Sequence, residues 1–202
     1  MSFNFTAAIR NVCNDICLRV PDLTHIDMTR VGISFCQTRQ NEKYGVFASL
    51  TPLKFKDGSS FNRKKTFYWM IPDVYGENKQ KILYLLSFYM PRFMNLSLID
   101  KFDTIIHELY HINQDFNGDI RRFQGRCFAH GSSRKKYDHI VQQYVKEWLE
   151  KDPPPEIWHF LKMDFKELET KYQGVFGTKF QLPKMKRLTE YELQKYQQNK
   201  TS

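Results

Sequence analysis

Apolar side chains recur at three- and four-residue steps in four stretches of the chain, which is the period of an amphipathic helix. This pattern predicts helices over residues 7–20, 98–113, 135–151 and 156–172. Alternating or continuous short apolar runs instead predict strands over residues 31–38, 44–55, 65–71 and 82–89. The order of these elements indicates an α+β domain, in which a small mixed or antiparallel sheet packs against a helix and other helices flank it.

Two of the predicted strands carry more specific expectations. Residues 65–71 have apolar side chains on both faces, with Phe67 and Trp69 opposing Tyr68, so we expect burial on both sides. Residues 82–89 fit either a central strand or a buried helix, and their short length with the closing Pro91 favours the strand.

The clearest break in the chain is the run Pro153-Pro154-Pro155. With 202 residues, the chain is long enough for one domain with a core of its own. We therefore expect a main domain over residues 1–152. Residues 153–202 are expected to form a C-terminal helix and an irregular basic tail, packed on that domain or extending from it.

The predicted helix 98–113 contains an HExxH motif, His107-Glu108-Leu109-Tyr110-His111. Histidines four residues apart leave the same face of a helix, so both imidazoles can bind one Zn²⁺ ion. Glu108 cannot reach the same ion from that turn, and it is instead placed to take a proton from a water molecule that the metal holds. Apolar flanking residues predict a largely buried helix, where an unpaired His-Glu-His cluster would be costly. A metal site therefore explains the motif better than two solvated histidines.

A catalytic zinc site needs a third protein ligand and one open position. His130 is the preferred candidate, because it ends a loop-like segment and Gly131 allows close approach of the backbone. His139, at the start of the next predicted helix, and Glu147, two turns further along, are the alternatives.

The HExxH motif followed by His130-Gly131 resembles the SprT-like branch of zinc metallopeptidases, in which a histidine of a downstream His-Gly completes the metal site. Residues 82–144 are also similar, over a longer run, to an uncharacterised group of proteins assigned as metallopeptidases. The resemblance implies a zincin-like fold, zinc bound by His107, His111 and His130, and Glu108 as the general base. The chain lacks the C-terminal zinc ribbon of the SprT pattern.

The predicted activity is hydrolysis of peptide bonds by a metal-activated water, with Glu108 as the general base. The transition state needs a further hydrogen-bond donor, and the candidates are Tyr137, His139, Arg121 and Arg122. A carboxylate can orient a metal-binding imidazole through its other nitrogen, and the candidates are Asp103, Asp119 and Asp138. An exposed edge strand beside the site would bind an extended peptide or protein substrate.

The net charge is +9, with basic clusters at 54–65, 134–136 and 184–187. A basic surface can bind nucleic acid or an acidic protein, although a simply solvated surface fits as well. Two alternatives to a general metallopeptidase therefore stay open: a non-catalytic binding module stabilised by zinc, and a DNA-associated protease that uses the basic clusters.

Neither a targeting segment nor a membrane span is predicted, so we expect a cytoplasmic protein that does not contact a membrane. Cys13 and Cys17 are expected to be buried, reduced and without metal.

Overall fold

A computed structural model of the chain describes residues 1–38, 45–123 and 134–201. Its central sheet has three strands, β2 (Val31–Gln37), β3 (Ala48–Pro52) and β8 (Tyr84–Met90). Strand β8 lies in the middle, parallel to β2 and antiparallel to β3. The apolar run that fitted either a strand or a buried helix is therefore the central strand. The sheet is mixed, and the predicted α+β class is confirmed.

Helices cover one face of this sheet. They include α1 (Phe5–Arg19) and α2 (Leu98–Tyr110), and α3 (Arg134–Glu150) packs on α2. The main core contains alternate residues of β8 and residues at helical spacing from α1 and α2. Cys13 and Cys17 are buried in it as free thiols, as the sequence predicts. On the opposite face, Leu85 packs in a smaller cluster.

Residues 65–71 are not buried on both sides, so this expectation is wrong. They contain β5 (Phe67–Met70), which lies in a separate antiparallel sheet between β4 (Phe61–Lys64) and β10 (Lys186–Leu188). Met70 is buried, whereas the three aromatic residues of the strand are only partly buried. The reason is that this small sheet lies outside the main core and α6 (Glu190–Thr201) packs on one of its faces.

Residues 156–172 do not form the single helix that their pattern predicts. They form α4 (Pro155–Trp158), a 3₁₀ turn (His159–Lys162) and α5 (Phe165–Tyr172). Asp164 starts α5 with a capping box to Glu167. The ammonium group of buried Lys101 donates hydrogen bonds to the carbonyl oxygens of Leu161 and Met163. These two carbonyls therefore do not accept the backbone hydrogen bonds of a continuous helix.

The C-terminal part is more regular than the irregular tail that the sequence predicts, since it contains α6, β9 (Val175–Phe176) and β10. Strand β9 pairs in parallel with β1 (Phe3–Asn4). The next residues follow the outer edge of β2, where the N–H of Phe35 donates to the carbonyl of Thr178 at 2.7 Å. This segment satisfies backbone groups that an open sheet edge would leave unpaired.

The remaining regular elements of the described ranges are a two-stranded ribbon and three 3₁₀ turns. The ribbon pairs β6 (Val74–Tyr75) with β7 (Lys81–Ile82), and the turns cover Pro21–Leu23, Met28–Arg30 and Lys56–Gly58. Within 1–38, 45–123 and 134–201, no helix combines the length and the apolar composition that crossing a membrane requires.

Candidate metal centre

Helix α2 brings the two histidines of the motif together at its C-terminal end. The Nε2 atoms of His107 and His111 are 3.2 Å apart. Two Zn–N bonds of ~2.0–2.1 Å at a tetrahedral angle would place the two nitrogens about 3.3–3.4 Å apart. The pair therefore has the spacing that one tetrahedral metal ion requires, and the donor set fits zinc.

The tautomer of His111 follows from its contact with Tyr137 of α3. The buried hydroxyl of Tyr137 donates to the carbonyl oxygen of His107 at 3.1 Å and lies 3.2 Å from Nδ1 of His111. A carbonyl oxygen can only accept, so the hydroxyl proton is used there and Nδ1–H of His111 must donate to the hydroxyl oxygen. This leaves Nε2 of His111 unprotonated, which is the form that binds a metal.

Tyr137 was one of the sequence candidates for a transition-state donor, and its hydroxyl is already engaged by the two histidine residues. Burial raises the pKa of Tyr137 well above its usual range, with the charge of Glu108 acting in the same direction. The hydroxyl therefore keeps its proton across the physiological pH range. The contacts of Tyr137 are those of a residue that orients the imidazole ring of His111.

Glu108 faces the edge strand β3. Its Oε2 accepts a hydrogen bond from the backbone N–H of Leu50 at 2.7 Å. The neighbouring bonds from Tyr89 N to Phe47 O and from Leu53 N to Leu83 O show that odd-numbered residues of this segment pair with β8. The N–H of Leu50 therefore points away from β8, to the side of β3 on which no strand of the described residues pairs.

The surroundings of Glu108 shift its pKa toward neutrality. Burial raises its pKa to about 7, and the N–H of Leu50 opposes this shift. A carboxyl group with a pKa near neutrality can both accept and return a proton. A bound divalent cation would favour the charged form and lower this pKa again.

The predicted third ligand, His130, lies outside the described residues, so its placement stays a prediction. His139 is exposed, and its Nε2 lies 3.1 Å from the side-chain amide of Gln143. Glu147 is paired with Lys151 at 2.9 Å. Within residues 1–38, 45–123 and 134–201, no group of three or more His, Cys, Asp or Glu side chains forms a metal site. Neither alternative therefore completes the histidine pair in this part of the chain.

The two arginine candidates differ in their availability. Arg122 makes a two-point ion pair with buried Asp119, at 2.8 and 2.9 Å. Arg121 stacks over the ring of Tyr110, 4.1 Å from its centroid, and its Nε and Nη2 are buried without a hydrogen-bond partner in the described structure. Its backbone N–H donates to the carbonyl of His111 at 2.7 Å, which places Arg121 beside the C-terminal end of α2.

The acidic candidates are arranged differently from the expected carboxylate–histidine pair. Asp119 binds Arg122 and two backbone N–H groups, those of Asp57 and Ile120. Asp103 has a buried Oδ1 with no hydrogen-bond partner among the described residues, and burial, with the charges of Asp100 and Asp138, raises its pKa. The Nδ1 atom of His111 is instead bonded to a tyrosine, a role that the sequence analysis did not assign.

Comparison with known proteins adds no identity, since no family model, no curated protein and no solved structure matches the chain. The functional argument therefore depends on the geometry of α2 and β3 and on the motif itself.

Proposed function

We propose that the chain is a zinc-dependent metallopeptidase with a zincin-like arrangement of a metal helix beside an edge strand. The observation that carries this proposal is the pair of Nε2 atoms 3.2 Å apart, next to a partly buried Glu108 in the same helix turn. Two structural histidines would not need a carboxyl group beside them. A water-activating site does need one.

Zinc held by His107 and His111 would act as a Lewis acid that lowers the pKa of a bound water to about 7. Glu108 would accept a proton from the attacking water and later deliver it to the leaving amine. The N–H of Leu50 holds the carboxyl group during both transfers. Arg121, with two buried donor nitrogens that have no partner in the described structure, is the candidate that assists as negative charge develops on the carbonyl oxygen of the substrate.

The proposed substrate is an extended peptide segment that adds to the open edge of β3. Ala48 and the carbonyl of Leu50 direct backbone groups outward at this edge, because their odd-numbered neighbours bond to β8 and the N–H of Leu50 binds Glu108. Backbone pairing recognises the extended conformation more than the side chains. We therefore expect unfolded proteins or flexible segments to be cleaved in preference to compact domains.

The test measures bound zinc and hydrolysis of a labelled, unfolded protein. Glu108→Gln should keep its zinc and lose about 10²–10⁴-fold in rate, because only the proton-transfer group is removed. His107→Ala should lose the zinc itself. In parallel, His130→Ala should lose zinc and His139→Ala should keep it.

Three results would contradict this proposal. A zinc-loaded wild-type chain that cleaves no unfolded protein would support the non-catalytic binding module. A Glu108→Gln variant with the wild-type rate would exclude Glu108 as the base. Full zinc occupancy in His130→Ala would exclude the proposed third ligand.

A further inference from the structure

The small sheet β4–β5–β10 has one face that α6 does not cover. Side chains of a strand alternate between faces, and directly paired residues share a face. Tyr68 and Phe61 contact α6, through Glu190 at 3.0 Å and through the ring of Tyr196. The opposite face therefore carries the alternate residues. They are Asn62, Lys64, Phe67, Trp69 and Arg187, which we call the open face.

The open face carries two charged side chains, Lys64 and Arg187, and both are basic. Segments 61–70 and 184–188 contain six basic residues and no aspartate or glutamate. Those residues are Arg63, Lys64, Lys65, Lys184, Lys186 and Arg187. Two clusters that lie about 120 positions apart in sequence are joined here because β10 pairs with β5. The fold thus concentrates positive charge on one sheet.

Aromatic rings lie among these charges. Phe67 and Trp69 are two residues apart on one strand, so both project from the open face, and their centroids are 5.7 Å apart. Both are only partly buried, and neither packs against the two hydrophobic clusters of the described structure. The guanidinium of Arg187 lies over the ring of Phe67, 4.1 Å from its centroid. Both rings keep part of their surface in solvent, where a flat ligand ring can stack on them.

We propose that the open face binds single-stranded nucleic acid. Base rings stack on aromatic side chains, and lysine and arginine residues follow the phosphates. An acidic protein would use the charges alone and would not account for the two rings. A duplex would hide the faces of its bases inside the stack. This surface is distinct from the metal centre, and the proposal does not depend on catalysis.

The test is fluorescence anisotropy of labelled 20-nucleotide oligo(dT) and oligo(U) with the full chain. Contacts from the two cations of the open face, Lys64 and Arg187, would lower the affinity roughly 7-fold between 50 and 200 mM salt. Trp69→Ala should weaken binding roughly 5- to 100-fold, since one stacking platform is lost. Trp69→Phe should restore most of the affinity because it keeps a ring. The double variant Lys64→Glu/Arg187→Glu should abolish binding.

A matched control makes the same change of charge elsewhere. Lys166→Glu/Lys171→Glu alters two exposed lysines of α5 and should leave the affinity nearly unchanged. Circular dichroism and the melting temperature should show that each variant is folded. The proposal is wrong if the α5 variant weakens binding as much as the open-face variant. It is also wrong if Trp69→Ala has no effect, or if a duplex or poly-glutamate binds as tightly as the single strand.

Discussion

The contact between Tyr137 and His111 shows how one hydroxyl can set the chemistry of a proposed metal ligand. The hydroxyl proton is committed to the carbonyl of His107, so Nδ1 of His111 is the protonated nitrogen. Nε2, the nitrogen that we propose binds zinc, is then unprotonated before any ion arrives. The hydroxyl also fixes the orientation of the imidazole ring, which is what a ligand of a preformed site requires.

We therefore predict that Tyr137→Phe lowers zinc affinity about 10- to 100-fold while the chain stays folded. The measurement is competition with a chromogenic chelator. Tyr144→Phe is the matched control. Tyr144 lies on the same helix as Tyr137, but its hydroxyl binds Asp22 and not a histidine. Equal zinc affinities in the two variants would show that the Tyr137 hydroxyl has no role in orienting His111.

At the scale of elements, the segment after β9 depends on a glycine for its close approach to the sheet. A Cβ atom at Gly177 would lie 2.6 Å from Cβ of Phe35 and 2.7 Å from Oγ1 of Thr6. Neither neighbour can move easily, because Phe35 lies in β2 and the Thr6 hydroxyl accepts the N–H of Thr178. A larger residue must therefore push the segment away from the edge of β2.

Gly177→Ala should lower the free energy of unfolding by about 1–3 kcal/mol, the usual cost of overpacking. Urea denaturation followed by tryptophan fluorescence measures this change. In Gly76→Ala the new Cβ would meet its nearest atom at 3.4 Å, which is ordinary contact. That control should be neutral or slightly stabilising. A Gly177→Ala variant as stable as this control would contradict the role given to the glycine.

The elements differ in how well the sequence predicts them. Helix α2 follows from its apolar period, its HExxH motif and the cap at Ser97. The bond from Leu50 to Glu108 has no sequence signal, because every residue other than proline has a backbone N–H. Strand β10 was missed because 186–188 is short and polar, and its pairing with β5 comes from the tertiary fold. The third ligand, His130, stays a sequence prediction.

For the whole molecule, a buried charge links stability to pH. Lys101 is 2% exposed, and burial lowers its pKa to about 8, while Asp164 and Glu167 oppose the shift. The unfolded chain has the ordinary lysine pKa of 10.5. Between pH 8 and pH 10.5, Lys101 is therefore protonated in the unfolded chain and neutral in the folded chain. The contribution of Lys101 to stability therefore increases as the pH rises from 8 to 10.5.

Buried Cys13 and Tyr84 have raised pKa values, so their contributions to stability fall at alkaline pH and oppose that of Lys101. The prediction therefore compares wild type with Lys101→Met, in which those two contributions cancel. The difference in unfolding free energy, wild type minus variant, should rise by at most about 3 kcal/mol between pH 8 and 10.5. Chemical denaturation at pH 7, 8, 9 and 10 measures it. Lys166→Met, at an exposed position, should give a flat difference. A flat difference for Lys101→Met as well would mean that Lys101 titrates normally in the folded chain.

The pairing of β2 with the segment around Thr178 also has a consequence for biosynthesis. A ribosome that adds about 5–20 residues per second needs on the order of ten seconds to proceed from Phe35 to Thr178. During that interval β2 has no partner on its outer side, and an unpaired strand edge can join a neighbouring nascent chain. The yield of folded protein should therefore depend on translation speed and on chaperones that shield this edge until the C-terminal segment emerges.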